Sequence, residues 1–189
     1  MPPALNKFAT AVSKVQSVMP TALQPWAISG MFNTMVKFAG TAGISIDEIG
    51  PQRAVVTLKN RRRVQNHIGG VHACGMALLS ETATGVLLAI NVPDTHLPLC
   101  KSFKLDFKRI AKGDLKAVAT LTDDMLLQMT TTDKGDVTVP VTVTDEDGNE
   151  PIKAEMCWAW VLKNRGPRKE QAGQPTTAPP PPPPQQAKL

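Results

Sequence analysis

Apolar residues along this chain follow two different periods. Leu5, Phe8, Val12, Val15 and Met19 recur at spacings of three and four, which predicts an amphipathic helix over residues 4–18 that stops before Pro20 and packs on the domain by its apolar side. No acidic residue precedes Asp47, which would also suit a transit peptide, but the absence of any Arg before Arg53 weakens that reading. Residues 54–58 (AVVTL) read as a first strand, and the pair Gly69-Gly70 separates it from an apolar helix over about residues 71–89. After that helix the period becomes two. Phe103, Leu105 and Phe107 alternate with Lys104, Asp106 and Lys108, and Lys112-Gly113-Asp114 turns into a second alternating run from Leu115 to Leu121. Val137, Val139, Val141 and Val143 alternate with Thr138, Thr142 and Thr144 before the turn DEDGNE, and Met156, Trp158 and Trp160 alternate with small or apolar residues. Pro140 cannot donate to a ladder, so it demotes part of its run to an edge or a bulge. The order strand, helix, then about four strands predicts an α+β fold in which one long helix lies against an antiparallel sheet of about five strands.

Composition divides the chain into an N-terminal helical extension (1–49), a packed domain (50–165) and a tail (166–189) rich in Pro, Gln and Thr, with six consecutive prolines at 179–184. The tail cannot build a core and reads as a spacer with polyproline II character, or as a ligand for a small recognition domain. The net charge of +5 is concentrated late: five Lys/Arg and one Glu fall in residues 163–189, leaving sixteen against fifteen before them, which disfavours a basic nucleic-acid face. Cys74, Cys100 and Cys157 are odd in number and widely spaced, which fits a reducing compartment better than a disulfide scaffold or zinc ribbon. His67, His72 and His96 form no metal-binding spacing, so neither metal nor cofactor is expected. No run is read as a membrane span, and no secretory signal is expected.

The segment RRRVQNHIGGVHACGMALLSETATG, Arg61 to Gly85, carries the candidate chemistry. At 100° per residue Ala77, Leu78, Glu81 and Gly85 share one face of the predicted helix, so a carboxylate sits among small and apolar neighbours. Buried there, it must be hydrogen-bonded or hold its proton more tightly than usual, and both conditions are common in catalytic bases. Gly69 and Gly70 allow close backbone approach, and the first unpaired N–H groups of the helix, around Val71 to Cys74, are ready-made oxyanion donors. His72, at the helix start, reads as a cap or site-shaping group, and Cys74 as a small packing residue. Arg61, Arg62 and Arg63 suit phosphate recognition, although in or beside a strand at most one or two can face one way.

Asn66, Gly69, His72 and an acid nine residues after that His resemble the active-site segment of the hotdog-fold thioesterases, the superfamily typified by 4-hydroxybenzoyl-CoA thioesterase. The resemblance spans roughly residues 50–163 and is nearest to an uncharacterised branch with Glu on the central helix. FKLDFKRIAKGDLKAVATL looks like that family's strand–turn–strand after the helix. The resemblance implies an acyl-CoA thioesterase in which Glu81 is general base or nucleophile, Asn66 positions the thioester or attacking water, and Ala73 donates its backbone N–H to the thioester carbonyl. It makes His72 a site-shaping residue, with Gly69, Gly70, Arg61 and Arg63 toward the substrate. It also implies a homodimer or homotetramer whose sites are each built from two chains. Two positions depart from the superfamily pattern: His72-Ala73-Cys74 stands where many members have His-Gly-Gly, and Glu81 where many have Asp. A non-catalytic acyl-CoA or lipid-binding module is the alternative, and a protein working through its Pro-rich tail a third. The last residues, Ala187-Lys188-Leu189, resemble the small–basic–leucine peroxisomal import signal, so an import receptor is a possible partner; cytoplasmic or mitochondrial placement is the alternative.

Overall fold

Asn6 begins the first helix and fastens it to the rest of the chain. In the computed structural model, which describes residues 6–163, Asn6 Oδ1 accepts from Ala9 N at 2.7 Å, while its Nδ2 donates to Ala89 O at 2.8 Å and Val92 O at 2.6 Å. One side chain thus caps α1 (Lys7–Val18) and holds it against the end of a distant helix. Ala9 and Val12 are buried, so α1 packs on the domain. Positions 4 and 5 of the expected helix, the tail from 166 and the terminal tripeptide lie outside the described residues.

Two further helices follow that the periodicity does not announce, α2 (Gln24–Met35) and α3 (Lys37–Ala42). Only Ile28, Ser29 and Phe32 of α2 are buried, too sparse a set to register as a stripe. Gly43 ends α3 at φ 76°, the left-handed position that favours glycine. The chain then enters β1 (Ile44–Ile49), paired antiparallel with β2 (Arg53–Leu58), so the sheet begins before residue 50. A bulge between Ile46 and Glu48 breaks the alternation after two isoleucines, which is why the strand is hard to see in the sequence.

The long apolar helix is α4 (Ala73–Asn91). Beyond it come β3 (His96–Phe107), β4 (Leu115–Thr120), α5 (Asp123–Thr131), β5 (Lys134–Val139), β6 (Val141–Thr144) and β7 (Ile152–Leu162). Where a single sheet of about five strands is expected, the described residues form seven strands in two antiparallel sheets, in the orders β1-β2-β4-β6 and β3-β7-β5. Pro140 accounts for the split. It interrupts the run 134–144 so that β5 pairs with β7 and β6 with β4, and its carbonyl accepts from Thr120 N at 3.1 Å.

Both sheets wrap α4. Leu79, Leu87, Leu88, Met156 and Trp160 are all at most 1% exposed, and they place the core between the helix and the sheets. The Trp158 indole N–H donates to Thr84 Oγ1 at 2.8 Å and its ring lies over Gly85, where an added Cβ would come within 2.7 Å of it. By length and apolar composition alone the 19-residue α4 would suffice to cross a membrane, a test that the core helix of a folded domain also passes. Here that apolar surface is the core of the domain. One side of α4 is less covered, the stripe of Cys74, Ala77, Glu81 and Gly85, and it faces the site.

Candidate functional site

Glu81 lines a cavity of about 600 Å³ between α4, the α2–α3 junction and β3. Ala73, Cys74, Ala77 and Leu78 form the helix wall, Val36 and Phe38 a second, and Phe103, Leu105 and Phe107 of β3 a third. Glu81 is the sole charged side chain among these ten residues, and the size is that of a small-molecule pocket. Burial holds its carboxyl above the ordinary value of 4.5. The neighbouring Thr82 Oγ1 is buried and has no hydrogen-bond partner among the described residues.

The start of α4 is arranged by hydrogen bonds that consume most of its free donors. His72 is the N-cap, with φ −63° and ψ 149°, and its Nδ1 accepts from Cys74 N at 3.1 Å. His72 N donates to Val64 O at 2.8 Å, and Gly75 N and Met76 N donate to His72 O at 2.8 and 3.0 Å. Among the described residues Ala73 N is left without a partner. His72 therefore does what a cap does, and the donor it leaves over belongs to the first helical residue.

Asn66 holds the preceding turn. Its Oδ1 accepts from Ile68 N at 3.0 Å and Gly70 N at 3.1 Å, its own N–H donates to Gly70 O at 2.8 Å, and Gly69 takes φ 81° within the loop. The Asn66 side chain borders a second, smaller cavity of about 170 Å³ with Gly70, Met76 and Arg109. Ala73 and Phe107 line both cavities. Asn66 and Glu81 thus flank Ala73 from opposite sides within one chain. Eight residues of helix separate Ala73 from Glu81, about 12 Å along the axis at about 1.5 Å per residue.

The arginines sit otherwise than expected. They belong to a short 3₁₀ turn, Arg62–Val64, with Arg61 as its N-terminal neighbour, and not to a strand. Arg63 Nε donates to Ala42 O at 3.2 Å and its guanidinium lies over Gly43, so it fastens α3 to this turn while lining a third cavity of about 210 Å³ with Phe38, His72, Cys74 and Leu78. Arg61 is exposed and lines none of these cavities. The site residues that sequence reasoning missed are the walls. Phe103, Leu105 and Phe107 are visible as a strand but carry no sign of facing a cavity, and Val36 and Phe38 lie in a segment without a readable period.

Two antiparallel sheets around one long helix, with the cavity on the exposed stripe of that helix, define a hotdog fold. The chain belongs to the family described as domain of unknown function DUF4442, whose model matches residues 24–161. No curated protein matches. Among solved structures, a Pseudomonas aeruginosa protein of unknown function described as a probable thioesterase is 22% identical with a TM-score of 0.66, covering 76% of this chain and 97% of its own. A thioesterase from Haemophilus influenzae is 14% identical with a TM-score of 0.55, covering 69% and 88%. A mutant thioesterase from Pseudomonas aeruginosa is 14% identical with a TM-score of 0.59, covering 71% and 94%. At these identities the likeness is one of fold.

Proposed function

We propose that the protein hydrolyses acyl-CoA thioesters. The observation that carries this reading is a single carboxylate, Glu81, with its pKa raised by burial, in an otherwise apolar cavity about 600 Å³ in volume. The apolar walls receive the acyl group, and the Ala73 N–H, left free by the His72 cap, donates a hydrogen bond to the thioester oxygen as negative charge develops on it. Glu81 then either takes a proton from water as that water attacks the carbonyl carbon and passes it to the departing thiolate, or attacks the carbon itself to form a mixed anhydride that water afterwards cleaves; in both cases the C–S bond breaks and the water consumed supplies the acid's oxygen and the thiol's proton. Thioesterases among the solved structures that share the fold support this chemistry.

The spacing of Ala73 and Glu81 bears on how the site is assembled. One thioester carbonyl cannot reach both groups of the same helix across about 12 Å. A second copy of the chain relieves this: β3 is an edge strand with Phe103 and Phe107 more than half exposed, and an antiparallel partner there would bring Glu81 of one chain toward Ala73 and Asn66 of the other. The working unit is then a homodimer, or a tetramer built from it. Arg61, exposed beside the helix start, is available to coenzyme A phosphates, with Arg63 partly committed to Ala42.

The test is thiol release from purified protein given short, medium and long acyl-CoAs. Turnover lost at least about a hundredfold in Glu81→Gln supports the reading. Saturable acyl-CoA binding without turnover would replace it with a non-catalytic binding module, and neither binding nor turnover would overturn both.

A further inference from the structure

The helices ahead of β1 carry an apolar surface that the domain does not cover. Residues 15–36 contain no charged side chain. Within that stretch and just beyond it, Val18, Leu23, Trp26, Met35 and Phe38 are each more than half exposed. The geometry of α2 shows why. Ile28, Ser29 and Phe32 are buried, and Ser29 Oγ accepts from Ile46 N of β1 at 2.8 Å, which fixes the inner side of the helix. At 100° per residue Trp26 and Gly30 then fall on the outer side, with Leu23 one turn before them. Trp26 is 77% exposed, whereas Trp158 and Trp160 are buried. Single exposed apolar residues are ordinary, but a run of them on an uncharged helix face marks an interaction surface.

The charges beside this surface have one sign. Lys14 and Lys37 bracket the uncharged stretch, both are exposed, and neither has an ion-pair partner among the described residues. Lys14 lies one helical turn from Val18 on α1, and Lys37 stands between Met35 and Phe38. The first acids in the chain, Asp47 and Glu48, border the turn between α1 and α2 with Thr21, Gln24 and Pro25, and Glu48 is paired with Arg53.

We propose that α1, α2 and the start of α3 form a docking surface for an anionic lipid bilayer, with Trp26 and Leu23 entering the interfacial layer and Lys14 and Lys37 meeting lipid phosphates. An indole, apolar in body with a single N–H, is the side chain that membrane interfaces favour, and lysines at the rim add attraction to a negative surface. A second copy of the chain suits the face less well, because a two-fold contact would set its lysines together with no acid between them. Val36 and Phe38 also line the Glu81 cavity, so docking turns one wall of that cavity toward the bilayer. The proposal stands apart from thioester hydrolysis and needs no turnover.

The experiment mixes full-length protein with vesicles of phosphatidylcholine, alone or with phosphatidylglycerol, and reads co-sedimentation and tryptophan emission. On the anionic vesicles the protein sediments, emission shifts to the blue and acrylamide quenching falls as Trp26 leaves water; the neutral vesicles give a weaker response. Trp26→Ser lowers vesicle affinity at least about tenfold, and Lys14→Gln and Lys37→Gln each lower it about fivefold, the scale of one lysine at an anionic surface. These side chains are exposed, so the melting temperature stays at the parent's value. Should Trp26→Ser not fold, Leu23→Ser carries the same expectation. Failure of the parent protein to sediment with anionic vesicles overturns the proposal. Sedimentation that survives the combined Trp26→Ser, Lys14→Gln and Lys37→Gln changes also overturns it, since another part of the chain then binds the lipid. A lower mass for Trp26→Ser than for the parent in light scattering without lipid would give the face to a second copy instead.

Discussion

Removing the Ala73 N–H and nothing else is possible because Ala73 is the first residue of α4. Proline at that position loses only a donor that has no partner among the described residues, and its fixed φ suits a helix start. The residue before it must be extended, and His72 already is, at ψ 149°. Ala73→Pro should therefore fold with the parent's melting temperature while losing about 100- to 1000-fold in kcat, the scale for deleting one oxyanion donor, equivalent to about 2.7–4 kcal/mol. Ala73→Gly keeps the donor and should stay within a few-fold of the parent. The stronger test co-expresses Ala73→Pro and Glu81→Gln chains under two affinity tags. If Glu81 of one chain works with Ala73 of the other, a mixed dimer has one site with both groups intact and one with neither. Random assortment makes about half the dimers mixed, so the mixture recovers about a quarter of parental turnover although each variant alone is nearly inactive. If both groups belonged to one chain, every site in the mixed dimer would lack one of them. A mixture that stays at the residual level of the two variants, with mixed dimers verified by native mass spectrometry, would refute the two-chain site.

Three further outcomes are expected, two from contacts within the fold and one from the terminal tripeptide. Glu81 binds its proton more tightly folded than unfolded, so its own contribution to stability is fully present below pH 4.5 and is lost as pH rises through the raised folded value; Glu81→Gln should melt a few degrees above the parent at pH 7, with the difference vanishing below about pH 4.5 in a calorimetric series. Gly85→Ala drives a Cβ to within 2.7 Å of the Trp158 ring, and overpacking of about 1–3 kcal/mol outweighs the helix propensity gained, so its denaturant midpoint should drop; an unchanged or higher midpoint would show that the indole has room to shift. We propose peroxisomal import through Ala187-Lys188-Leu189: a fluorescent protein fused ahead of Met1 should give punctate peroxisomal signal that turns diffuse when Leu189 is deleted, and a full-length fusion diffuse from the start would end that proposal.

How much of this was legible in the sequence depends on whether the signal is local. The turn at Gly69-Gly70, α4 and the alternating strands are readable because each is written in a period of two or 3.6 over consecutive residues. β1 escaped because its bulge shifts Ile49 out of step with Ile44 and Ile46. α5 escaped because it directly follows a strand of opposite period, with Thr122 as its cap and Met129 as its one buried residue. The candidate carboxylate was legible for a chemical reason: an acid on an apolar helix is expensive enough to stand out. Its surroundings were not, since Phe38 and Phe107 reach the cavity from segments on opposite sides of α4 in the chain, and nothing in either segment refers to Glu81.

The separation of Asn66 from Glu81 is the instructive case. In the sequence they are fifteen positions apart within one motif, and a motif invites the assumption of one site. A helix turns that adjacency into distance. From Ala73 onward each residue moves the chain about 1.5 Å along a straight axis, so the residues holding the turn stay at one end of α4 and the carboxylate is carried into another cavity. The small residues Cys74 and Ala77 leave open space beside the first half of the helix, and Glu81 is the long side chain that enters it, while at Gly85 the Trp158 ring closes the stripe. That space is bounded by the edge strand β3, whose phenylalanines are exposed in a single chain. A helix too long for one chain's two groups to meet, beside an edge strand able to accept a second copy, is the arrangement in which dimerisation and catalysis become the same requirement, and the mixed-dimer experiment separates that case from its alternative.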